Sequence, residues 1–437
     1  MSEITAPATL AGVARLGKAA TSLLRAPLLG YVRSVPSRVS SAATRQRVQP
    51  VARWLVLASV ALILYGSLFP FRFDSLIDVG LGELLASLRF QRTSRGDLVA
   101  NLLLYMPLGL CLVLAWPARW SRLVVLAWTV LAGTALSVAV ELVQVYSISR
   151  VSSLTDVVIN AVGTLAGSLA AIVYLELGTT LRIPGIAAGR PDPVPLGVLL
   201  LWLAFRLAPF VPTIDWQKYQ DAVKPLFLDP SIGVLDTFRY LVGWLVVGYT
   251  VRQLWRREYA LFAVLFIIGI VLAGRIVIVG KVLVASELVA LLICIPLAAL
   301  IVANPDRRRT ALLAVLLAAT IVLQGLTPFQ PLAHAQEFSW VPFKNSLSDS
   351  LEVNYSVLLE KCFWYFSLVW LFTRRGWSIP GAAAATATLL GAIELAQIWL
   401  PGRSAEITDP LLALIAGVLL ALLGTNPAAS IRLPSHR

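Results

Sequence analysis

Residues 123–146 read LVVLAWTVLAGTALSVAVELVQVY, an apolar run whose first charged residue is Glu141. At about 1.5 Å per residue, such a run crosses the roughly 30 Å hydrocarbon core of a bilayer. Similar runs recur along the chain, whose mean hydropathy is +0.81. Charged residues make up 14% of the chain, against about 25% in soluble domains. Because backbone amides in hydrocarbon must be bonded within their own segment, the pattern predicts an all-α polytopic membrane protein.

The apolar runs predict about twelve transmembrane helices. Their bounds are 54–70, 97–116, 123–146, 155–176, 195–210, 235–254, 259–279, 282–303, 310–326, 354–373, 379–399 and 410–424.

Basic residues occupy every second connection between these helices. The positive-inside rule therefore predicts that these connections and both termini are cytoplasmic, as in a multi-pass protein of the bacterial cytoplasmic (inner) membrane. The residues are Arg119, Arg122, Arg182, Arg190, Arg252, Arg256, Arg257, Arg307, Arg308, Arg309, Arg374 and Arg375. The opposite connections are longer and richer in acidic residues, which supports the same orientation.

The net charge of +13 does not indicate a nucleic-acid partner, because the basic residues are clustered between apolar runs. Cys111, Cys294 and Cys362 all lie inside apolar segments, where thiols behave as small hydrophobes. We therefore expect no disulfide, no metal and no cofactor. The expected partners are membrane lipids, a lipid-linked or amphiphilic ligand and other envelope proteins.

Part of the chain repeats itself. Glu141, Gln144, Arg150 and Asp156 recur with identical spacings as Glu394, Gln397, Arg403 and Asp409. A decayed version in the middle has Leu272, Arg275, Lys281 and Glu287 at these positions, and a Pro-Phe pair ends the first span of each unit at 70–71, 209–210 and 328–329. An even number of helices per unit predicts three parallel four-helix repeats.

The repeat predicts five segments. They are a basic N-terminal tail (1–50), a first unit (51–178), a degenerate middle unit (190–304), a third unit (309–425) and a C-terminal tail (426–437).

Polar residues of the first unit converge on the outer end of three predicted helices. A guanidinium beside carboxylates can receive an anion bidentately, and ionisable groups below the headgroups mark function by default. The predicted ligand-binding residues are Asn101, Glu141, Gln144, Arg150, Asp156 and Asn160, with a secondary site at Glu394, Gln397, Arg403 and Asp409.

A structural interpretation competes for several of these residues. Ser153-Leu154-Thr155-Asp156 fits a capping box, and Asp409 before Pro410 fits a helix start. Gly163 and Gly167, four residues apart, indicate close helix packing. For the set Glu141, Gln144 and Arg150, repeated with identical spacing, a functional role is favoured because packing does not require it.

Neither histidine, His334 or His436, lies in a predicted span. Serine–histidine and metal-dependent intramembrane proteases are therefore excluded, as is a cysteine–histidine transpeptidase. Among the enzyme mechanisms considered, acid/base catalysis by carboxylates is the one that the sequence still allows.

The stretch Asp97–Gly109, DLVANLLLYMPLG, followed by Glu141, Gln144, Arg150, Asp156, Asn160 and Gly163, resembles the VanZ-like family. This family is named for an accessory protein of teicoplanin resistance. The resemblance covers about 65–176, with a second copy at about 325–424 and a degenerate copy between them. The third unit has Ala413 in place of Asn160. We therefore expect the first unit to hold the working site, with the others as scaffold or partly active relics.

The leading hypothesis is a cell-envelope protein that binds an anionic lipid-linked or amphiphilic compound in an outer-facing polar pocket. An effect on glycopeptide or lipopeptide susceptibility is expected from the resemblance. The alternatives are a membrane transporter, a lipid-modifying enzyme that uses carboxylate acid/base chemistry, and a passive scaffold.

Overall fold

The computed structural model describes residues 41–73, 88–91, 93–117, 119–148, 152–177, 192–228, 230–301, 306–344 and 351–423. Arg150, most of the predicted N-terminal tail and the C-terminal tail lie outside these residues. Within them, the regular structure is helical, and extended pairing is limited to isolated bridges.

The described residues form fourteen helices, numbered here in chain order. They are α1 (Ser41–Leu68), α2 (Arg95–Ala115), α3 (Arg122–Gln144), α4 (Leu154–Leu177), α5 (Pro193–Leu207), α6 (Trp216–Val223), α7 (Pro225–Leu228), α8 (Val234–Leu254), α9 (Arg257–Val277), α10 (Ala285–Ile301), α11 (Arg307–Leu326), α12 (Leu351–Arg374), α13 (Ile379–Gln397) and α14 (Thr408–Leu422).

Each of the twelve predicted spans coincides with one helix to within a few residues, except that α1 begins well before residue 54. The helix α1 already starts at Ser41, inside the segment predicted as a tail. Within the described part of the chain, eight helices are long and apolar enough to cross a membrane: α1, α2, α3, α4, α9, α11, α12 and α13. The chain is therefore a multi-pass helical membrane protein. For α5, α8, α10 and α14, membrane crossing stays a prediction.

Successive long helices run in opposite directions, so the bundle has two chemically distinct ends. We call the end where α1, α3, α5, α9, α11 and α13 finish the polar end, and the opposite end the basic end. Several connections at the basic end are short and carry arginines, such as Arg256 between α8 and α9 and Arg375 between α12 and α13.

The largest apolar core joins the predicted middle and third units. Its centre is formed by α8 and α12, whose residues 242–247 and 363–366 are buried without interruption. The helix α12 contacts α5, α11, α13 and α14, and also reaches α2 of the first unit. The charged residues of α8 (Asp236, Arg239 and Arg252) lie towards its two ends, outside the stretch that is buried on all sides and is apolar all round.

The first unit is held together by an unusually close contact between α2 and α4. A methyl group built on Gly167 would lie 1.9 Å from the carbonyl oxygen of Met106, and one built on Gly163 would lie 2.4 Å from that of Leu102. Only glycine allows the two backbones to approach this closely. The predicted role of these glycines in helix packing is therefore confirmed.

Gly167→Ala is expected to force α2 and α4 apart and to lower the free energy of unfolding by about 1–3 kcal/mol, the usual cost of overpacking. Thermal unfolding of the purified protein in detergent measures the effect. The matched control is Gly269→Ala in α9, where an added methyl group meets open space. Equal stability of the two variants would contradict the close contact.

Candidate functional site

The end of α3 and the start of α4 are joined by a carboxylate–amide hydrogen bond. Glu141, which is buried, accepts a hydrogen bond at Oε2 from the backbone amide of Ser153, at 2.8 Å. Ser153 immediately precedes α4, and its own hydroxyl accepts from the amide of Thr155. The carboxylate therefore lies at the positive end of the α4 dipole, where a negative charge is favoured.

This arrangement changes the capping box predicted for Ser153 and Asp156. Ser153 caps α4 as predicted, but its amide donates to Glu141 from a different helix, whereas the box would pair it with Asp156. Asp156 is half-buried and lies within electrostatic range of Glu141. The structure therefore places these two carboxyl groups near each other.

The other predicted residues of the first unit bond to neighbouring helices. Gln144 donates from Nε2 to the carbonyl oxygen of Ser67, at the end of α1, at 2.8 Å. Asn160 donates from Nδ2 to the hydroxyl of Ser137, at 2.9 Å. Asn101 is half-buried on α2 and makes no side-chain hydrogen bond to any described residue. The placement of Arg150 relative to these groups stays a prediction.

The third predicted unit contains the same hydrogen bonds. Glu394 accepts from the amide of Glu406 at 2.8 Å, twelve residues later, as Glu141 accepts from Ser153. Gln397 donates to the carbonyl oxygen of Gly325, the last residue but one of α11, at 3.0 Å. In both places the Glu-x-x-Gln pair bonds backbone groups that helix ends leave without intrahelical partners.

Arg403 also bonds to the backbone. Its Nε donates to the carbonyl oxygen of Thr327 at 2.9 Å and its Nη2 to that of Gln324 at 2.6 Å, both at the end of α11. Within the described residues Arg403 makes no ion pair. Its guanidinium therefore stabilises a helix end through cation-to-carbonyl hydrogen bonds.

Asp409 is paired with α12 by residues that the sequence interpretation missed. Lys361 donates to its Oδ1 at 2.6 Å, and the hydroxyl of Tyr365 donates to its Oδ2. Glu394 lies next to Asp409, so two buried carboxyl groups and one ammonium group form a compact cluster. Lys361 lies inside a predicted span, and a charged residue at that depth was the available signal.

The predicted middle unit, in which the repeated motif has decayed, holds the densest group of charges among the described residues. Glu287 of α10 is 1% exposed and is bonded by Arg206 of α5 and by Arg275 of α9. A second pair joins Arg239 of α8 to Glu360 of α12.

One aromatic ring lies among the three guanidinium groups of this cluster. Tyr240 has its ring centroid 5.2 Å from Cζ of Arg206, 5.7 Å from that of Arg275 and 5.9 Å from that of Arg239. These distances are typical of cation–π contacts, which weaken the mutual repulsion of neighbouring cations. The sequence interpretation missed this cluster, because Arg206 and Arg239 have no counterpart in the repeated motif.

Lys281 adds a fourth cation in the connection between α9 and α10. Burial, together with the positive charges of Arg275 and Arg206, lowers the pKa of Lys281 to about 8. Because the folded-state pKa lies below the unfolded value of about 10.4, the charged lysine destabilises the fold at pH values below about 8.

Residues 28–175 match the VanZ/LLP1 family model. This match covers the first unit with its Glu141–Asp156 pair, and it confirms the VanZ-like resemblance of that part of the chain. No curated protein and no solved structure matches the chain. The prediction that the middle and third units are further copies stays a prediction.

Replacement of Glu141 separates its acceptor role from its charge. Glu141→Ala leaves the buried Ser153 amide unbonded and is expected to cost about 1–3 kcal/mol in unfolding free energy. Glu141→Gln keeps an acceptor oxygen and is expected to retain most of the stability. The pair Glu394→Ala and Glu394→Gln should behave in the same way. Thermal unfolding in detergent measures these differences. A glutamine variant as unstable as the alanine variant at the same position would show that the acceptor oxygen is not what stabilises the fold.

Lys281→Gln is expected to raise the unfolding temperature at pH 6.5, because it removes a disfavoured charge, by an amount equivalent to about 1 kcal/mol. The gain should shrink at pH 9.5, where the wild-type lysine in the folded state is mostly neutral. Lys218→Gln, at an exposed position, is the control and should show no such pH dependence. A pH-independent gain would contradict the lowered pKa.

Proposed function

We propose that this chain is a VanZ-like protein of the bacterial cytoplasmic membrane that binds an anionic lipid-linked or amphiphilic compound at its polar end. The proposal includes three parallel four-helix units, an exterior-facing polar end and cytoplasmic termini. We further propose that binding alters susceptibility to glycopeptide or lipopeptide compounds.

The observation that carries the proposal is the position of the buried ionisable side chains. Glu141, Glu287, Glu394 and Asp409 all lie at or near the polar end and are at most 6% exposed. Charged groups at membrane depth cost about 2.5–3.5 kcal/mol each even on insertion scales, so they are retained for function by default. The arginines of the short connections lie at the opposite end, which supports an exterior polar end.

The three-unit arrangement is supported by equivalent backbone geometry. Phe71, Phe210 and Phe329 have φ values of 60°, 59° and 60°, each just after the first long helix of a predicted unit. Each donates its amide to the carbonyl oxygen three residues earlier. Positive φ is uncommon for a bulky residue, so three occurrences at equivalent places favour a common unit.

Deeper polar groups do not favour the transporter alternative. Several buried hydroxyl groups nearer the middle of the helices donate to a carbonyl one turn earlier in their own helix, among them Thr164, Ser168, Thr250, Thr320 and Thr386. Such hydroxyls have satisfied their donor locally, so they present none to a permeating solute.

The proposal is tested by Arg150→Gln and Glu141→Gln, with Arg119→Gln at the basic end as the charge-matched control. The first two variants are expected to lose copurified anionic lipid and to change glycopeptide or lipopeptide susceptibility by several-fold, while the control does neither. Lipid mass spectrometry and growth assays measure both. Folded Arg150 and Glu141 variants with wild-type lipid content and susceptibility would refute the proposal.

A second candidate function, a lipid-modifying enzyme, is favoured by the neighbouring carboxyl groups of Glu394 and Asp409. Two carboxyl groups in one buried site can divide acid and base roles. Incubation of the purified protein with bacterial lipid extract should then yield a new lipid species that Glu394→Gln abolishes. Unchanged lipid composition with the wild-type protein would exclude this activity on those lipids.

A further inference from the structure

Large apolar side chains are exposed at the polar end, in and beside the connection between α5 and α8. We call residues 211–235, which contain the short helices α6 and α7, the apolar segment. Ile214 is 97% exposed and Phe227 is 79% exposed. The full set is Ile214, Trp216, Phe227, Leu228, Ile232, Val234 and Leu235. Apolar exposure concentrated in one short segment marks a surface that contacts a partner or a membrane.

The helix α6 within this segment is amphipathic. Gln217, Asp221 and Lys224 are exposed on one side of it, and Asp221 accepts hydrogen bonds from the other two. We call these three residues the water-facing stripe. At 3.6 residues per turn, Trp216 and Ala222 lie away from this stripe, and Ala222 is buried. Helices with one polar and one apolar face can lie flat at a membrane interface.

The apolar segment continues a surface that already contacts lipid. Exposed apolar side chains such as Phe262 and Phe266 run along α9, and around a membrane-spanning helix the surroundings of such side chains are lipid. Val277, the last residue of α9, accepts a hydrogen bond at its carbonyl oxygen from the amide of Thr213, at 2.9 Å. Ile214 therefore adjoins the polar end of the lipid-facing surface of α9.

Two more backbone hydrogen bonds hold the apolar segment beside the end of α9. The amide of Val279 donates to the carbonyl oxygen of Val211 at 3.0 Å, and the amide of Leu283 donates to that of Ala222 at 2.8 Å. Val279 and Leu283 both belong to the connection between α9 and α10. The segment is thus bonded to the bundle at the level where the spans end.

The charge of α6 and its flanking residues does not select an anionic partner. Asp215 and Asp221 are balanced by Lys218 and Lys224, and all four are exposed. The favourable term on this surface is therefore the removal of apolar side chains from water. Lipid beside α9 reaches these side chains without a second protein, so the occupant that the structure favours is the membrane itself.

We propose that the apolar segment lies in the membrane interface, with Ile214, Phe227 and Val234 inserted among the lipid chains and the water-facing stripe turned to the solvent. The connection between α5 and α8 is then a lipid-contacting element of the bundle, in place of a water-exposed loop. This inference goes beyond the proposed function, because it does not involve Glu141 or Asp156 and holds whether or not that site binds a ligand.

The test measures lipid contact at single positions of the full chain. Phe227→Cys and Val234→Cys report on the inserted side chains, and Gln217→Cys in the water-facing stripe is the control. All three positions are exposed, so a label there meets no packed neighbour. The three native cysteines are replaced by alanine, and the labelled chain is reconstituted into phosphatidylcholine nanodiscs with an environment-sensitive fluorophore.

Lipids with a spin label near the headgroup should quench the fluorophore at Phe227 and Val234 several-fold more than at Gln217. Iodide in the water should show the reverse order. Because interfacial helices insert only about 5–10 Å, a spin label at the end of the lipid chain should quench less than one near the headgroup. Equal lipid quenching at all three positions would overturn the proposal, and so would stronger quenching by the chain-end label.

Two further arms distinguish the membrane interior from other occupants. Exchange of phosphatidylcholine for phosphatidylglycerol should leave the quenching unchanged; quenching seen only with phosphatidylglycerol would overturn insertion driven by apolar burial. Nanodiscs with one chain each should give the same result as vesicles crowded with the protein. Lipid quenching that disappears on crowding would show that a second copy covers the segment, against the proposal.

A measurement with the native cysteines in place covers the case in which the cysteine-free chain does not fold. In nanodiscs of brominated lipid, part of the tryptophan fluorescence of the wild-type chain should be quenched. Trp216→Phe keeps an aromatic ring at the surface and should reduce this quenched part. An unchanged quenched part would show that Trp216 does not contact lipid and would overturn the proposal in the native chain.

Discussion

Helix ends in an apolar environment leave backbone amides and carbonyls without partners, and the bonding of these groups holds this bundle together. Glu141 and Glu394 accept from the amides that precede α4 and α14, while Gln144, Gln397 and Arg403 donate to carbonyls that end α1 and α11. Without water at that depth, each unbonded group would cost several kcal/mol. The repeated Glu-x-x-Gln motif and Arg403 therefore have a structural role in this bundle.

The same hydrogen bonds give the polar end its chemical character. Carboxylates that cap helix starts are held in fixed positions, and the backbone bonds of Glu141 and Glu394 each use one carboxylate oxygen, Oε2. Asp156 and Asp409 stand beside them. A structural role and a binding role are thus compatible at one residue, because capping uses only part of the carboxylate.

The middle of the chain keeps buried charges although the repeated motif has decayed there. Leu272 replaces the capping glutamate there, yet Glu287 is retained with two guanidinium partners from α5 and α9. Such a pair is stable in an apolar surrounding only when its members are bonded to each other. In the cluster as a whole, four cations accompany two carboxylates, and these residues come from five helices and one connection. A comparison of one unit with another does not reveal this arrangement.

The positions of the helices, the clustering of basic residues at one end and close packing at Gly163 and Gly167 could be predicted from the sequence, because apolar length, charge bias and residue size act locally. The helix against which these glycines pack could not. Hydrogen bonds between α3 and the start of α4 were foreseen only as a convergence of polar residues. Other features arise only in the tertiary structure. They are the ion pairs of Lys361 with Asp409 and of Arg206 with Glu287, and the unbonded indole of Trp244. Each depends on which helices become neighbours, and in an apolar bundle that choice is made by packing over long sequence separations.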